Sequence, residues 1–106
     1  MSLQELQILF PGATESTWHQ HPCGGGWVEN TAHVDAYVGP DAVVYGYAYV
    51  FGNARVYGNA RVFGHSRVFG NALIFGNAWI YGDAQVSGNT KVCGDACKYG
   101  NTRYGY

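Results

Sequence analysis

From Val44 to Val92 the chain repeats itself every six residues, and this period constrains the fold more than any other feature. Each unit reads aliphatic, aromatic, Gly, Asn or Asp, Ala and a variable residue, as in Val56-Tyr57-Gly58-Asn59-Ala60-Arg61. A unit this short has room for one short strand and one corner, but not for a helix pair or a propeller blade. The chain must therefore coil and bury its aliphatic residues along one axis.

Alternation along each strand predicts which side chains face inward. We expect a four-residue strand in each unit, as in residues 60–63, so that Ala60 and Val62 share one face and Arg61 and Phe63 share the other. The Ala and Val columns are the better candidates for the interior. A Gly-Asn or Gly-Asp pair then turns most corners, because Gly and Asn tolerate the left-handed backbone that a sharp corner needs.

This frame resembles the hexapeptide repeat of left-handed parallel β-helix proteins. The resemblance covers residues 27–106 and rests on many consecutive units. Most units here insert an aromatic residue between the aliphatic residue and Gly, whereas the family usually has the two adjacent, as in Val38-Gly39. The resemblance implies an all-β fold: a single-stranded, triangular, left-handed parallel β-helix in which three units make each coil.

A spacing of three units stacks the corner aliphatic residues in three columns. Twelve such positions between residues 38 and 104 give about four coils. The columns are Val38/Val56/Ile74/Val92, Val44/Val62/Ile80/Lys98 and Val50/Val68/Val86/Tyr104. Because Lys98 and Tyr104 interrupt the core, we expect the last coil to be open to water or to a partner. Val28 and Val34 indicate an earlier coil that is two residues short.

Residues 1–26 do not follow the repeat, and we interpret them as an N-terminal capping segment that precedes the β-helix of residues 27–106. Residues 4–10 are compatible with a short helix, which Pro11-Gly12 would end. A β-helix exposes strand edges at both ends, so we expect this segment to lie across the first coil. The repeat continues to Tyr106, and we expect the C-terminal coil to present a bare edge that pairs with a partner.

We interpret the chain as one domain. Its composition limits the kinds of partner it can bind and the cellular compartment in which we expect it. A net charge of −1 argues against nucleic-acid binding by bulk electrostatics, although residues 1–42 carry −5 and residues 43–106 carry +4. No apolar run is long enough to span a membrane. Three cysteines without a disulfide pattern and the absence of a recognisable signal peptide predict a cytoplasmic protein.

His65 is the candidate for catalysis. A spacing of three units stacks it beside Asp83, and a carboxylate can fix the tautomer of an imidazole that acts as a base. The resembled family includes acyltransferases that use a His base between subunits of a trimer. The alternative, which we favour, is a polar corner residue without catalytic function, since this chain has neither the projecting loop nor the C-terminal helix common in those enzymes.

His19, His21 and Cys23 form the one cluster with plausible ligand chemistry for a metal. In an extended segment they would share one side, and imidazole and thiolate suit zinc. No fourth ligand is evident, so we favour an ordinary loop. Cys93 and Cys97 flank one corner without a second pair and are interpreted as surface thiols.

The strongest functional signal is a set of aromatic residues and arginines at outward positions. Such mixtures are typical of protein interfaces, although rings stacked between coils would explain the pattern as well. The candidate interface residues are Tyr45, Tyr57, Arg61, Phe63, Leu73, Phe75, Trp79, Tyr81, Tyr99, Arg103 and Tyr104. Among them we favour the face with Phe63, Trp79 and Tyr81 as an oligomer interface.

These observations predict a non-catalytic binding or scaffold protein that acts through its aromatic faces and its open C-terminal coil. It would self-assemble as a dimer or trimer, or block a partner protein. The alternatives are an acyltransferase with His65 as its base and a small metal-binding protein. We expect no cofactor, no membrane and no nucleic acid as a partner.

Overall fold

The computed structural model describes residues 2–94 in full, together with the backbone of two further strands at residues 97–98 and 103–104. It contains one helix followed by fifteen short strands. The helix and strands are α1 Leu3–Leu9, β1 Trp18–Gln20, β2 Trp27–Glu29, β3 His33–Val34, β4 Tyr37–Val38, β5 Val43–Val44, β6 Tyr49–Val50, β7 Arg55–Val56, β8 Arg61–Val62, β9 Arg67–Val68, β10 Leu73–Ile74, β11 Trp79–Ile80, β12 Gln85–Val86, β13 Lys91–Val92, β14 Cys97–Lys98 and β15 Arg103–Tyr104.

Helix α1 begins with a capping box at Ser2. The Ser2 hydroxyl accepts a hydrogen bond from the Glu5 N–H, and the Glu5 carboxylate accepts one from the Ser2 N–H. The Phe10 N–H donates to the Leu6 carbonyl and ends the helix before Pro11. Within the part of the chain that the structure describes, no helix has the length and apolarity needed to cross a membrane.

The strands form three sheets, here called sheets A, B and C. Sheet A has the order β1-β2-β5-β8-β11-β14, sheet B the order β3-β6-β9-β12-β15, and sheet C the order β4-β7-β10-β13. All neighbours pair in parallel except β1 and β2, which are antiparallel. Every third strand therefore returns to the same sheet, and the chain forms a parallel β-solenoid of about four turns, as predicted. The predicted left hand of the coil stays a prediction.

The register agrees with the predicted columns. Val56 pairs with Val38 on one side and with Ile74 on the other, each three units away along the chain. The first coil is shorter, since Val28 pairs with Val44, which is two residues closer in sequence than a regular coil would place it. The missing two residues fall between β3 and β4, as the sequence predicted.

Backbone hydrogen bonds join successive coils along the strands and around the corners. The Tyr45 N–H donates to the Val62 carbonyl at 2.9 Å, and the Tyr47 N–H, at a corner, donates to the Gly64 carbonyl at 2.8 Å. The repeating strands are two residues long rather than the predicted four, because a corner interrupts each unit. The ladder nevertheless satisfies backbone groups beyond the strands themselves.

Glycine makes the corners. Nine corner glycines, from Gly46 to Gly94, have φ between 64° and 71°, and among the described residues no other type has a positive φ. The expectation that Asn would share this conformation is therefore wrong. A side chain is also excluded by the next coil, since a Cβ at Gly76 would lie 2.7 Å from the Gly94 nitrogen. Asn side chains instead form hydrogen bonds between coils, as the Asn59 Nδ2 donates to the Asn77 Oδ1 at 3.4 Å.

The predicted inward columns form the core. From Val38 to Val92, every aliphatic residue at the predicted inward positions is at most 1% exposed. The small residues that precede them are buried as well from Ala42 to Ala84. Ser66 takes one of these small positions, and its hydroxyl donates to the Phe63 carbonyl at 2.8 Å. The one buried polar side chain described here is thus satisfied within its own corner.

The N-terminal segment contacts both the end and the side of the solenoid. Strand β1 adds to the edge of β2 and extends sheet A. Leu6 and Trp18 then pack with Trp27 and Val43, which point outward from sheet A. The segment was expected to lie across the first coil. The structure shows that it covers the outer surface of sheet A, because that surface is apolar there.

Candidate interaction surfaces

The outward side chains of each sheet form a face, here called faces A, B and C. On face A, the rings of Tyr45 and Phe63 stack with centroids 4.7 Å apart and planes 3° apart. Phe63 continues the stack to Tyr81 at 5.3 Å. The coil spacing brings identical positions close enough for ring contact, so stacking within the chain accounts for much of the aromatic pattern.

The N-terminal segment covers the first half of face A. The Phe10 ring meets Tyr45 edge-on at 4.7 Å, and Trp18 lies 6.0 Å from Tyr45. Burial raises the pKa of Tyr45, and Arg61, which also hydrogen-bonds to it, opposes this shift. Tyr45, predicted as an interface residue, is thus half-buried by the chain itself.

The second half of face A is more open. Trp79 is 39% exposed, and the Arg61 guanidinium lies 4.9 Å from its ring centroid and 5.9 Å from that of Phe10. Leu9, at the end of α1, lines the same groove as Arg61 and Trp79. Arg61 therefore connects the covered and open halves of face A through cation–π contacts.

Face C carries the predicted residues Tyr57, Phe75 and Leu73. Tyr57 and Phe75 stack at 5.1 Å, and both are half-buried. Leu73 is half-buried too, and it sits in strand register with the exposed Arg55. Face C thus has a stacked aromatic column beside a mixed column, which consists of Tyr37, Arg55, Leu73 and Lys91.

Face B exposes two rings that the candidate interface did not include. Tyr49 is 40% and Phe51 is 41% exposed. Tyr49 stacks on His33 at 4.9 Å, and the Arg67 guanidinium lies 5.7 Å from the Tyr49 centroid. The signal in the sequence was an aromatic residue on each side of one core residue, Val50.

His65 and Asp83 lie at exposed corners one coil apart. The imidazole of His65 stacks on the Tyr47 ring at 5.3 Å, with planes 7° apart. Within residues 2–94, no hydrogen bond or ion pair joins His65 to Asp83. The structure thus holds the His65 ring through an aromatic contact, without an orienting carboxylate.

His19, His21 and Cys23 do not converge. The His19 Nδ1 lies 2.7 Å from the Asn30 Oδ1, whereas the His21 Nε2 lies 2.7 Å from the Ala36 carbonyl oxygen. Cys23 is an exposed free thiol. Among the described residues, no three His, Cys, Asp or Glu side chains form a group that could hold a metal ion.

Several predictions concern the C-terminal end of the chain. The side chains of Tyr99, Arg103 and Tyr104, like those of Cys97 and Lys98, lie outside the described residues. Their proposed contribution to an interface and to an open terminal coil stays a prediction.

Comparison with known proteins bears on the repeat. A family model described as the YdcK beta solenoid repeat matches residues 48–68 and 66–82. No curated protein matches the chain, and neither does any solved structure. The match covers the central coils, where the six-residue frame is most regular, and it agrees with the observed architecture. The chain is thus a β-solenoid repeat protein, similar across its central coils to the YdcK beta solenoid repeat.

Proposed function

We propose that the protein is a non-catalytic scaffold that self-associates through the open half of face A. The surface concerned, here called the Trp79 patch, consists of Leu9, Arg61, Phe63, Trp79 and Tyr81. The single observation that carries the proposal is the exposure of Trp79 beside an arginine whose position is already set by two rings. Trp and Arg are the residue types that contribute most when they are buried between proteins.

The Trp79 patch is pre-ordered. The Trp79 ring meets Phe63 edge-on at 6.1 Å, and Phe63 stacks on Tyr81. Since Arg61 contacts Phe10 as well as Trp79, it has already lost part of the side-chain freedom that association would remove. A partner that buries this surface therefore loses less conformational entropy than it would on a flexible patch.

A second copy suits the Trp79 patch because the surface carries both a cation and an open ring. Two copies related by a two-fold axis can each place Arg61 against the partner's aromatic surface, which makes the interface self-complementary. The exposed Leu9 adds apolar area at the border of the patch. A foreign protein bound to the same residues is the alternative, and the oligomeric state distinguishes the two.

Enzymatic and metal-binding functions receive less support. His65 has an aromatic neighbour in place of a carboxylate, and His19 and His21 face different partners. The scaffold function requires neither group. It is the function for which the described residues offer a contiguous surface.

Light scattering after size exclusion tests the proposal. We expect the wild type to have twice the 11.5 kDa mass of one chain, and Trp79→Glu to be a folded monomer. Tyr37→Glu is the matched control, since Tyr37 is 37% exposed but lies on face C. Circular dichroism verifies that each variant is folded. A wild type that stays monomeric, or an oligomer that survives Trp79→Glu, would refute self-association through this patch.

A further inference from the structure

The three sheets end differently at the N-terminal end of the solenoid. Sheet A is extended by β1, which pairs with β2. On sheet C, the Val38 N–H donates to the Cys23 carbonyl at 3.1 Å, and the Val38 carbonyl accepts from the Gly26 N–H at 3.0 Å. Sheet B ends at β3, and within the described residues no strand follows on its outer side.

The backbone phase shows which groups of β3 face that open side. The N–H groups of His33 and Asp35 donate to Ala48 and Val50 in the next coil. Val34, between them, has the opposite phase, as Val38 has on sheet C, so its N–H and carbonyl face away from the solenoid. Among the described residues, no backbone group forms a hydrogen bond with them on that side.

The core beneath this edge is also less completely covered. Val34 and Ala36 pack against the core but are only partly buried, whereas Val50 and Val68, which continue the same column, are fully buried. The missing cover lies where a further rung of sheet B would place an aliphatic side chain over Val34. The unpaired backbone groups and the incompletely covered core therefore lie at the same place, the outer edge of β3.

A shallow groove borders this edge. It is lined by His19, by residues 32–35 around β3, and by Tyr49, Val50 and Phe51 of the next coil. The His33 ring is exposed and begins the column that continues through Tyr49 to Arg67. An aromatic side chain placed over His33 would extend this column by one ring, and an aliphatic neighbour would cover Val34.

The negative charge of the N-terminal end of the solenoid favours basic residues on either side of the apolar pair in a bound strand. Residues 1–42 carry five acidic side chains and no lysine or arginine, and the exposed Asp35 lines the groove itself. A strand with lysine or arginine beside its apolar pair would complement this charge. Strand addition to an exposed edge is an established mode of peptide recognition, in which backbone bonds give affinity and side-chain sites give selectivity.

We infer that the free edge of β3 binds an extended peptide segment of another protein, through an aromatic–aliphatic pair flanked by basic residues. The peptide continues sheet B in parallel, as each coil continues the next. Its aromatic residue stacks on His33 and its aliphatic residue covers Val34. This site is separate from the Trp79 patch and does not depend on the proposed self-association.

Amide exchange measured by NMR tests the inference, with Trp79→Glu as the protein so that self-association plays no part. The probe is a synthetic peptide, Lys-Tyr-Val-Lys, acetylated and amidated at its ends. Bound in parallel, its tyrosine carbonyl accepts from the Val34 N–H, and the N–H of its final lysine donates to the Val34 carbonyl. We expect the peptide at saturation to slow exchange of the Val34 amide at least about tenfold, since a new backbone hydrogen bond closes this site. The Val38 amide, already bonded to Cys23, should change little.

Two methylated peptides form a matched pair. Methylation of the final lysine nitrogen removes the donor to Val34 and should weaken binding about tenfold, the effect of losing one hydrogen bond. Methylation of the valine nitrogen should be tolerated, because that N–H faces away from the solenoid. In the protein, His33→Ser should weaken binding of the tyrosine peptide but not of its alanine analogue.

Other outcomes would overturn the inference. These are absence of binding at millimolar peptide, equal binding of the two methylated peptides, or chemical-shift changes centred away from β3. Protection of the Val34 amide that rises with protein concentration in the absence of peptide would mean that a second copy occupies the edge. That result would also contradict a peptide site, while leaving the mass measurement on the Trp79 patch to be judged separately.

Discussion

The repeating coils and the N-terminal segment achieve burial in opposite ways. In residues 27–94, each core residue packs on an equivalent residue of the next coil, as Val56 does between Val38 and Ile74. In residues 2–26, burial depends on single unlike contacts, such as Leu6 and Trp18 against the outer surface of sheet A. The coils thus repeat the same packing contact many times, whereas the N-terminal segment relies on contacts that occur once.

The two regions should therefore differ in their tolerance of substitution. In a solenoid, stability is approximately a sum over coils and their interfaces, so a defect in a central coil weakens contacts on both sides. A defect in the segment is confined to the face that the segment covers. The first region should therefore respond globally to substitution, and the second locally.

We expect the greatest loss of stability from truncating a buried aliphatic residue of the coils. Ile74 in the coils and Leu6 in α1 are both fully buried and can be compared directly. Ile74→Ala should lower the free energy of unfolding by about 3 kcal/mol, as truncation in a packed core does. Leu6→Ala should instead release the segment. Hydrogen exchange separates these outcomes, with the Asn30 amide, bonded to Thr17, reporting on the segment and the Arg61 amide, bonded to Ala78, on the coils. If Leu6→Ala exposed both amides equally, the two regions would be one cooperative unit.

We expect a smaller loss of stability from substituting glycines with positive φ, and two such glycines allow a comparison. Gly76 (φ 67°) lies against the next coil, whereas a Cβ at Gly25 (φ 79°) would meet nothing within 4 Å. Gly25→Ala should cost about 1–2 kcal/mol from backbone strain alone. Gly76→Ala should cost roughly 1–3 kcal/mol more, because the next coil has to shift. Thermal unfolding of both variants measures the difference, and equal losses would show that the stacked backbone yields easily.

The smallest effect concerns Tyr45, where the two regions meet. Because burial raises its pKa in the folded protein, the neutral phenol contributes stability that is complete below the ordinary value of 10.0 and is lost as pH rises through the folded pKa. Phe10→Ala, which uncovers the ring, should bring this pKa back toward 10.0. NMR of labelled tyrosine follows the titration, and Tyr45→Phe is the control for its contribution to unfolding. An unchanged pKa in Phe10→Ala would show that the segment does not cause the shift.

The architecture was largely predictable because its rule is local. Each unit carries its own corner glycine and its own inward aliphatic residue. The resemblance to the hexapeptide repeat implied three units per coil, and together these predicted that Val38 pairs with Val56. The short first coil followed from the same arithmetic. The repeating strands were shorter than expected, since the turn at each corner occupies more of the unit than alternation alone indicates.

The candidate surface was predictable only in part. The positions of Phe63 and Trp79 on one face followed from the period, but their different exposure did not. Tyr45 was expected at an interface, and it lies beneath Phe10 and Trp18. Tyr49 was not a candidate, yet it is 40% exposed on face B. The docking of a non-repeating segment has no periodic signal that would reveal it.

Each six-residue unit encodes its own strand, corner and inward positions, because it contains the residues that make them. Which outward surface is covered within the molecule, and which is left open, follows only from the folded chain. The covering of Val43 by Leu6 and Trp18, and the exposed edge at Val34, depend on where a unique segment packs. That position is set by long-range packing, which no single repeat encodes.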